Sequence, residues 1–297
     1  MKIQILNRKS KYMNNDLNLI KELRDKTGAG FLDCKKALSE NNSNIDLAID
    51  YLRKKGLAKA SKKSSREANE GVVAAYSNDK VTCLIKVNTE TDFAAKSDTF
   101  LDFVNQIGNF SLSLSNYDLD KDAFYLQQLE NKTIEQHFKE MIAKIGENLI
   151  LKDIIFLNNK KNYSNFYVHN SYRKNIGKIV AAIEFQTNNN NEEIANATKN
   201  ICMHIAAMKP LSLDIDDLSE KLVENEKEIQ KDLILSSGKP ENMIDKILSG
   251  KMKKFYNEVT LLNQNFVLDQ NINVRDYIKS FADEHQLKLL SFKILSL

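Results

Sequence analysis

Nowhere in the 297 residues do about 18 apolar residues follow one another, which excludes a transmembrane helix. Cysteine is scarce: Cys34, Cys83 and Cys202 are odd in number, far apart and without a C-x-x-C pair. That spacing argues against a disulfide framework and a structural zinc site, and it fits a reducing cytoplasm. An excess of one charge is lacking too. The 43 basic and 40 acidic residues leave +3, too balanced to point by itself to nucleic acid or a membrane surface. Arginine is rare, six residues against 37 lysines, although arginine is the better bidentate phosphate ligand. The excess of lysine and asparagine reads as a compositional bias and carries no function. Residues 1–12 hold Lys2, Arg8, Lys9 and Lys11 but no apolar run long enough for a signal peptide. Met13, directly before the first helical pattern, is the expected start.

Catalytic motifs are missing as well. Gly238-Lys239 is followed by Pro240, and Leu233 stands where a phosphate-cradling loop would need its first glycine. There is no G-x-S-x-G elbow and no H-E-x-x-H pair. The four histidines are His137, His169, His204 and His285, and only His204 has a cysteine nearby, Cys202. Residues i and i+2 of a helix face apart, so the pair is not expected to share a metal. These gaps tilt the reading toward a binding protein and away from an enzyme.

What is there is enough apolar material, 42%, for a sizeable core, and a length that fits about two domains. Three short helical patterns open the chain. The first holds Leu19, Ile20 and Leu23, with Gly28 as a stop; the second sets Phe31, Cys34 and Leu38 on one face. The third is capped by Asn44, turns Ile45, Ala48, Ile49 and Leu52 inward, and is expected to stop at Gly56. Ser61–Ser65 reads as a polar linker. The period then changes to two, with strands over Gly71–Tyr76 and Val81–Val87 around an Asn78-Asp79 turn. Helices follow around Phe100–Ile107 and from Ile134 to a stop at Gly146. A second unit repeats the order: strands at Phe166–His169 and Ile179–Phe185, then a helix over 192–208 ended by Pro210, and a last strand over Leu289–Leu295. Residues 157–175 read as a stretched loop. The repeated order implies an α+β core of two related halves. Leu218, Leu222, Ile229 and Leu233, then Ile244, Ile247, Leu248 and Phe255, form apolar stripes on either side of Ser237–Pro240. They read as an antiparallel helical hairpin.

One segment resists explanation as packing. Val87–Lys96 leaves a clean strand, enters a polar turn and presents Phe93 between Asp92 and small residues. A phenylalanine there is either a staple or core residue, or an exposed anchor for a partner's pocket; the residues alone favour the first.

Four blocks, in order along the chain, resemble the bacterial elongation factor Ts family, the guanine-nucleotide exchange factors for elongation factor Tu. They are Leu23–Leu38, Thr91–Lys96, Lys144–Asn148 with Met203–Ala207, and Ser237–Pro240 with Lys251–Phe255. The resemblance implies a UBA-like three-helix domain over 14–65, a core subdomain over 66–155 and a second over 156–297. The second includes the helical hairpin at about 216–258. It implies partner contacts at Arg24, Phe31, Leu32 and Lys35, at Thr91, Asp92, Phe93 and Ala94, and at His204. It implies elongation factor Tu as partner, GDP-bound and nucleotide-free, without direct nucleic acid or membrane binding. No cofactor, metal or catalytic residue of the chain's own is implied, and a homodimer or a 2:2 complex stays open.

This sequence departs from the family at Phe31-Leu32, where relatives often carry a methionine pair, and at Ala94, where a valine is common. The chain ends at about the last core strand, without the C-terminal helix some relatives add. The expected mechanism makes Phe93 a wedge near the partner's magnesium site, with Asp92 either capping the next helix or meeting the partner. Rival readings are an RNA-binding protein, drawn from Phe255 among Lys251, Lys253 and Lys254 and Tyr172 beside Arg173 and Lys174, and a helix-binding adaptor that uses only the three-helix module. A hydrolase is the remotest.

Overall fold

The computed structural model describes residues 17–27, 29–159, 162–237 and 240–297. The Met13 start, the Gly28 stop and Gly238-Lys239 lie outside them. Three helices come first: α1 (17–27), α2 (Phe31–Glu40) and α3 (Ile45–Lys63). They close on Leu23, Cys34, Ala37, Leu38 and Ala48. Asn44 caps α3 as its position predicts, accepting from the Leu47 amide at 3.0 Å.

Two expectations fail here. Phe31 turns outward, and Ala37 takes the inward place beside Cys34 and Leu38. Helix α3 also passes through Gly56 and runs to Lys63, so the expected linker begins as helix. Gly56 serves close approach. A Cβ there would lie 2.9 Å from the Cβ of Ala143, in the helix Ile134–Ile145.

Next come β1 (Glu70–Ser77) and β2 (Val81–Thr89). Between them, the Asn78 side chain accepts from the amides of Lys80 at 2.9 Å and Val81 at 3.0 Å, a local turn that asparagine makes readily. Then follow α4 (Asp92–Ala95), α5 (Asp98–Ser111), α6 (Lys121–Tyr125), the ribbon β3–β4 (Gln128–Leu129, Lys132–Thr133) and α7 (Ile134–Ile145). Gly146 ends α7 in the left-handed region, φ 87°, where glycine carries no steric penalty.

The rest of the chain holds β5 (Leu149–Asn158), β6 (Tyr163–His169), β7 (Ile176–Gly177), β8 (Ile179–Gln186), α8 (Glu192–Met208), α9 (Glu220–Ser236) and α10 (Glu241–Val259). It finishes with β9 (Asn265–Phe266), β10 (Asp269–Asn273), α11 (Val274–Lys279), α12 (Ala282–His285) and β11 (Lys288–Ser296). Residues 157–175 are therefore not one long loop. Strand β6 occupies 163–169, and the turn after it uses Asn170 and Asn175 at positive φ.

One sheet has the order β5-β2-β1-β7, another the order β11-β8-β6 with antiparallel pairs. The protein is α+β: mixed helix and antiparallel sheet behind three N-terminal helices, as its patterns predict. Contacts divide it into two compact units. Of the described residues, the first takes those from 17 to Val72, Val87–Phe110 and Leu119–Asp153; the second takes those of Val73–Lys86, Ser111–Asp118 and Ile154–Leu297. In the second, α8 packs Ile194, Ile201 and Ile205 against Ala181, Ile183 and Phe185 of β8. Helices α9 and α10 form the expected antiparallel hairpin, and Lys251 Nζ donates across it to Gln230 Oε1 at 2.8 Å. Its stripe differs from the expected one: Ile234 and Met252 are buried, whereas Ile229 and Leu233 are exposed.

Candidate partner-binding site

Strand β2 ends at Thr89, and the chain turns at once into α4. Thr91 is the N-cap: its hydroxyl accepts from the Ala94 amide at 3.2 Å. Asp92 is thus not the cap. It lies in the first turn and pairs with Lys96 at 2.7 Å. That hydrogen bond holds the Asp92 carboxyl below its ordinary range. Helix α4 has room for one inward face, and Ala94 and Ala95 fill it. Phe93 is left on the other face with 84% of its surface in water. The core and staple readings of Phe93 therefore fall. The methyl group of Ala94, expected from the resemblance to be a partner contact, packs inward in the free chain.

A second loop holds this turn. Glu147 follows the Gly146 stop. Its Oε2 accepts from the Thr91 amide at 3.0 Å and the Thr89 hydroxyl at 3.0 Å, and its Oε1 accepts from the Thr91 hydroxyl at 2.8 Å. The exchange is reciprocal, because Glu90 Oε1 accepts from the Asn148 amide at 2.6 Å. Asn148 is buried and its side chain donates to the Arg66 carbonyl at 2.7 Å. A carboxylate that accepts several donors makes stronger bonds than a neutral acceptor.

In the three-helix segment, Arg24 is exposed on α1, and Lys35 is exposed on α2. Phe31 and Leu32, at the start of α2, are 42% and 78% exposed. Burial pushes the Cys34 thiol up, and the Arg24 charge works weakly against it. Leu17 and Leu47 are exposed too, which the sequence patterns missed. An isolated apolar residue on a helix carries no sign of which way it faces.

His204 is different. It is fully buried in the second unit. Its Nε2 meets Gln264 Oε1 at 2.9 Å, and its Nδ1 accepts from the Val267 amide at 3.1 Å. Burial pushes its pKa down, against the Gln264 hydrogen bond, which raises it. In the free chain the His204 imidazole faces the protein's own interior, whereas the family resemblance places a partner contact at this residue. By fixing Val267 it sets the β9–β10 turn, and there Val267 and Leu268 are exposed, as is Met208 one helical turn beyond His204. Cys202 Sγ lies 3.4 Å from the Asn165 carbonyl, away from His204's partners. Among the described residues no cluster of His, Cys, Asp and Glu could hold a metal ion, and no helix is long and apolar enough to cross a membrane.

The first unit also has a cavity of about 510 Å³, lined in part by Arg53, Lys132, His137 and Glu140. None of the expected contact residues lines it. Phe93, Phe31 and Leu32 stand out from the surface instead, and an aromatic side chain on a firmly held support is a typical anchor for a protein partner. Geometry and exposure define an α+β scaffold that displays apolar side chains, Phe93 on a short capped helix and Phe31 and Leu32 at the start of α2.

Comparison with known proteins narrows this class. A family model described as "Elongation factor TS" matches residues 90–297. Proteins named "Elongation factor Ts" are similar over most of their length. The one from Halothermothrix orenii is 43% identical over 278 residues, 92% of this chain and 89% of its own. The one from Roseobacter denitrificans is 42% identical over 261 residues, 88% and 86%. The one from Bartonella tribocorum is 39% identical over 260 residues, 88% and 84%. The chain belongs to the elongation factor Ts family, and its role is in translation elongation.

Proposed function

We propose that the protein is a nucleotide-exchange factor that binds elongation factor Tu in its GDP-bound state and promotes GDP release. It does so without covalent chemistry. An exchange factor must bind the emptied, rearranged partner more tightly than the GDP-bound one. Linkage then weakens GDP by the same factor, about 1.4 kcal/mol per tenfold. GDP is held largely through its phosphates and the magnesium ion that neutralises them. A side chain that displaces the elements around that ion therefore needs no contact with the base.

The exposure of Phe93 on a capped and tethered turn is the observation that carries this reading. Phe93 is the wedge that opens the partner near its magnesium site. Thr91 and Asp92 shape the turn. The segment over 14–65, with Arg24, Phe31, Leu32 and Lys35, is a docking module that supplies affinity. Two core parts over 66–155 and 156–297 provide further area, and the cytoplasm is the site of action. Half-buried Phe255 speaks against stacking on RNA. The test is release of a fluorescent GDP analogue from the same organism's elongation factor Tu. Release accelerated in proportion to added protein is expected; release unchanged, with both proteins folded, would overturn the reading.

A further inference from the structure

We infer that Glu147 is a positioning residue for exchange, one that acts through Phe93 without touching the partner. The inference rests on the proposed role of Phe93. Phe93 is useful as a wedge only if its backbone is fixed before the partner arrives, because each residue ordered on binding costs conformational entropy. Helix α4 has four residues and cannot hold itself, since isolated helices of that length do not form. Its order has to come from outside.

Glu147 supplies it. One carboxylate takes three donors from two residues, Thr89 and Thr91, and both lie within four positions of Phe93. It reaches across 56 and 58 residues of sequence to do so. The geometry is selective for a carboxylate. The Thr91 amide and both hydroxyls are donors here, and an ionised carboxylate offers acceptors only. The Thr91 hydroxyl donates to Glu147 and accepts from the Ala94 amide, so losing Glu147 also loosens the cap. On the opposite side Glu90 holds the Asn148 amide and meets Arg66 at 3.4 Å. The Glu147 loop is therefore itself anchored, and the tether is rigid at both ends.

The rival is a purely structural glutamate that joins two loops. A double-mutant cycle on maximal GDP release from the partner, with half-saturation and thermal stability measured beside it, separates the two. Glu147→Ala is expected to lower the maximal rate about tenfold, as loss of a few charge-assisted bonds would, with half-saturation changed far less. On a Phe93→Ala background the same change should have almost no further effect, because the wedge is already gone. Glu147→Gln, which keeps one acceptor oxygen, should fall between Glu147→Ala and the parent; it replaces Glu147→Ala in the cycle should the alanine variant fail to fold. Effects that multiply, or a slow variant whose loss tracks its stability alone, would overturn the inference. If Phe93→Ala slows release but neither Glu147 variant does, the tether fails and the wedge stands. If Phe93→Ala itself leaves release unchanged, the wedge fails and the tether with it.

Discussion

Phe93 and His204 carry the same expectation from their sequence blocks, and the structure treats them in opposite ways. Phe93, the more apolar, stands 84% exposed on a four-residue helix; His204, the more polar, is fully buried. What separates them is where their surroundings send hydrogen bonds. Around Phe93 the bonds run between backbone and carboxylates, from Thr91 to Glu147 and from Asn148 to Glu90, and leave the ring unused. Around His204 they run through the side chain itself, to Gln264 and Val267. A side chain whose hydrogen bonds are spent inside the protein would have to give them up to meet a partner, and one that the interior leaves out would not. In the free chain the interior takes up the His204 side chain and leaves the Phe93 side chain out.

The sharpest way to test this division is to remove the supporting residue. His204→Ala leaves the buried Gln264 Oε1 and the Val267 amide without their imidazole partner and opens a cavity, and unfolding stability should drop by about 3 kcal/mol. Denaturant titration would show it, and an unchanged midpoint would mean that His204 does not support the turn. A smaller effect is expected at Gly56. Gly56→Ala should destabilise by about 1 kcal/mol, because crowding against Ala143 outweighs the gain in helix propensity. A stabilised variant would show that α3 and α7 can separate freely. On the presenting side, Arg24→Ala should weaken partner affinity about threefold with the melting temperature unchanged, as expected for an exposed charge near the edge of an interface. Equal affinity would remove Arg24 from the docking face.

The mildest test is pH. Burial lowers the folded pKa of His204, so the unfolded chain binds the extra proton more readily. Its contribution to stability is full above the unfolded value, about 6.5, and is lost as pH falls below it. Asp92 has the usual carboxylate sign. Its pKa is lowered by Lys96, so its contribution disappears only in acid, as pH falls through the depressed value. Stability of the parent should decline between about pH 7.5 and 5.5, and His204→Gln should decline less. Equal slopes would assign the loss to other groups.

Much of the fold was legible from local patterns. The Asn44 cap, the stop at Gly146, the Asn78 turn, and the helix over 192–208 all rest on neighbours within a few residues. Long-range contacts were not legible. Gly56 reads as a stop until Ala143 is seen beside it. Phe31 satisfies a helical face equally well inward or outward, and Ala37 decides the matter by occupying the inner position. The partners of His204 lie 60 and 63 residues away and those of Glu147 56 and 58 away. Of the candidate site, Phe93 stood out at its turn, but its neighbours in sequence favoured a staple or core place, and only the family resemblance made it an anchor. Its support was not visible, because a glutamate after a helix stop is unremarkable without its partners.

The most direct test of the division is Phe93→Ala, with GDP release and thermal unfolding measured on one preparation. An exposed anchor should be removable without harm to the fold: the melting temperature should stay put, while maximal release falls about 30-fold, the effect of a hot-spot side chain worth about 2 kcal/mol. A variant that melts early, or one that folds normally and still releases GDP at the parent rate, would contradict it.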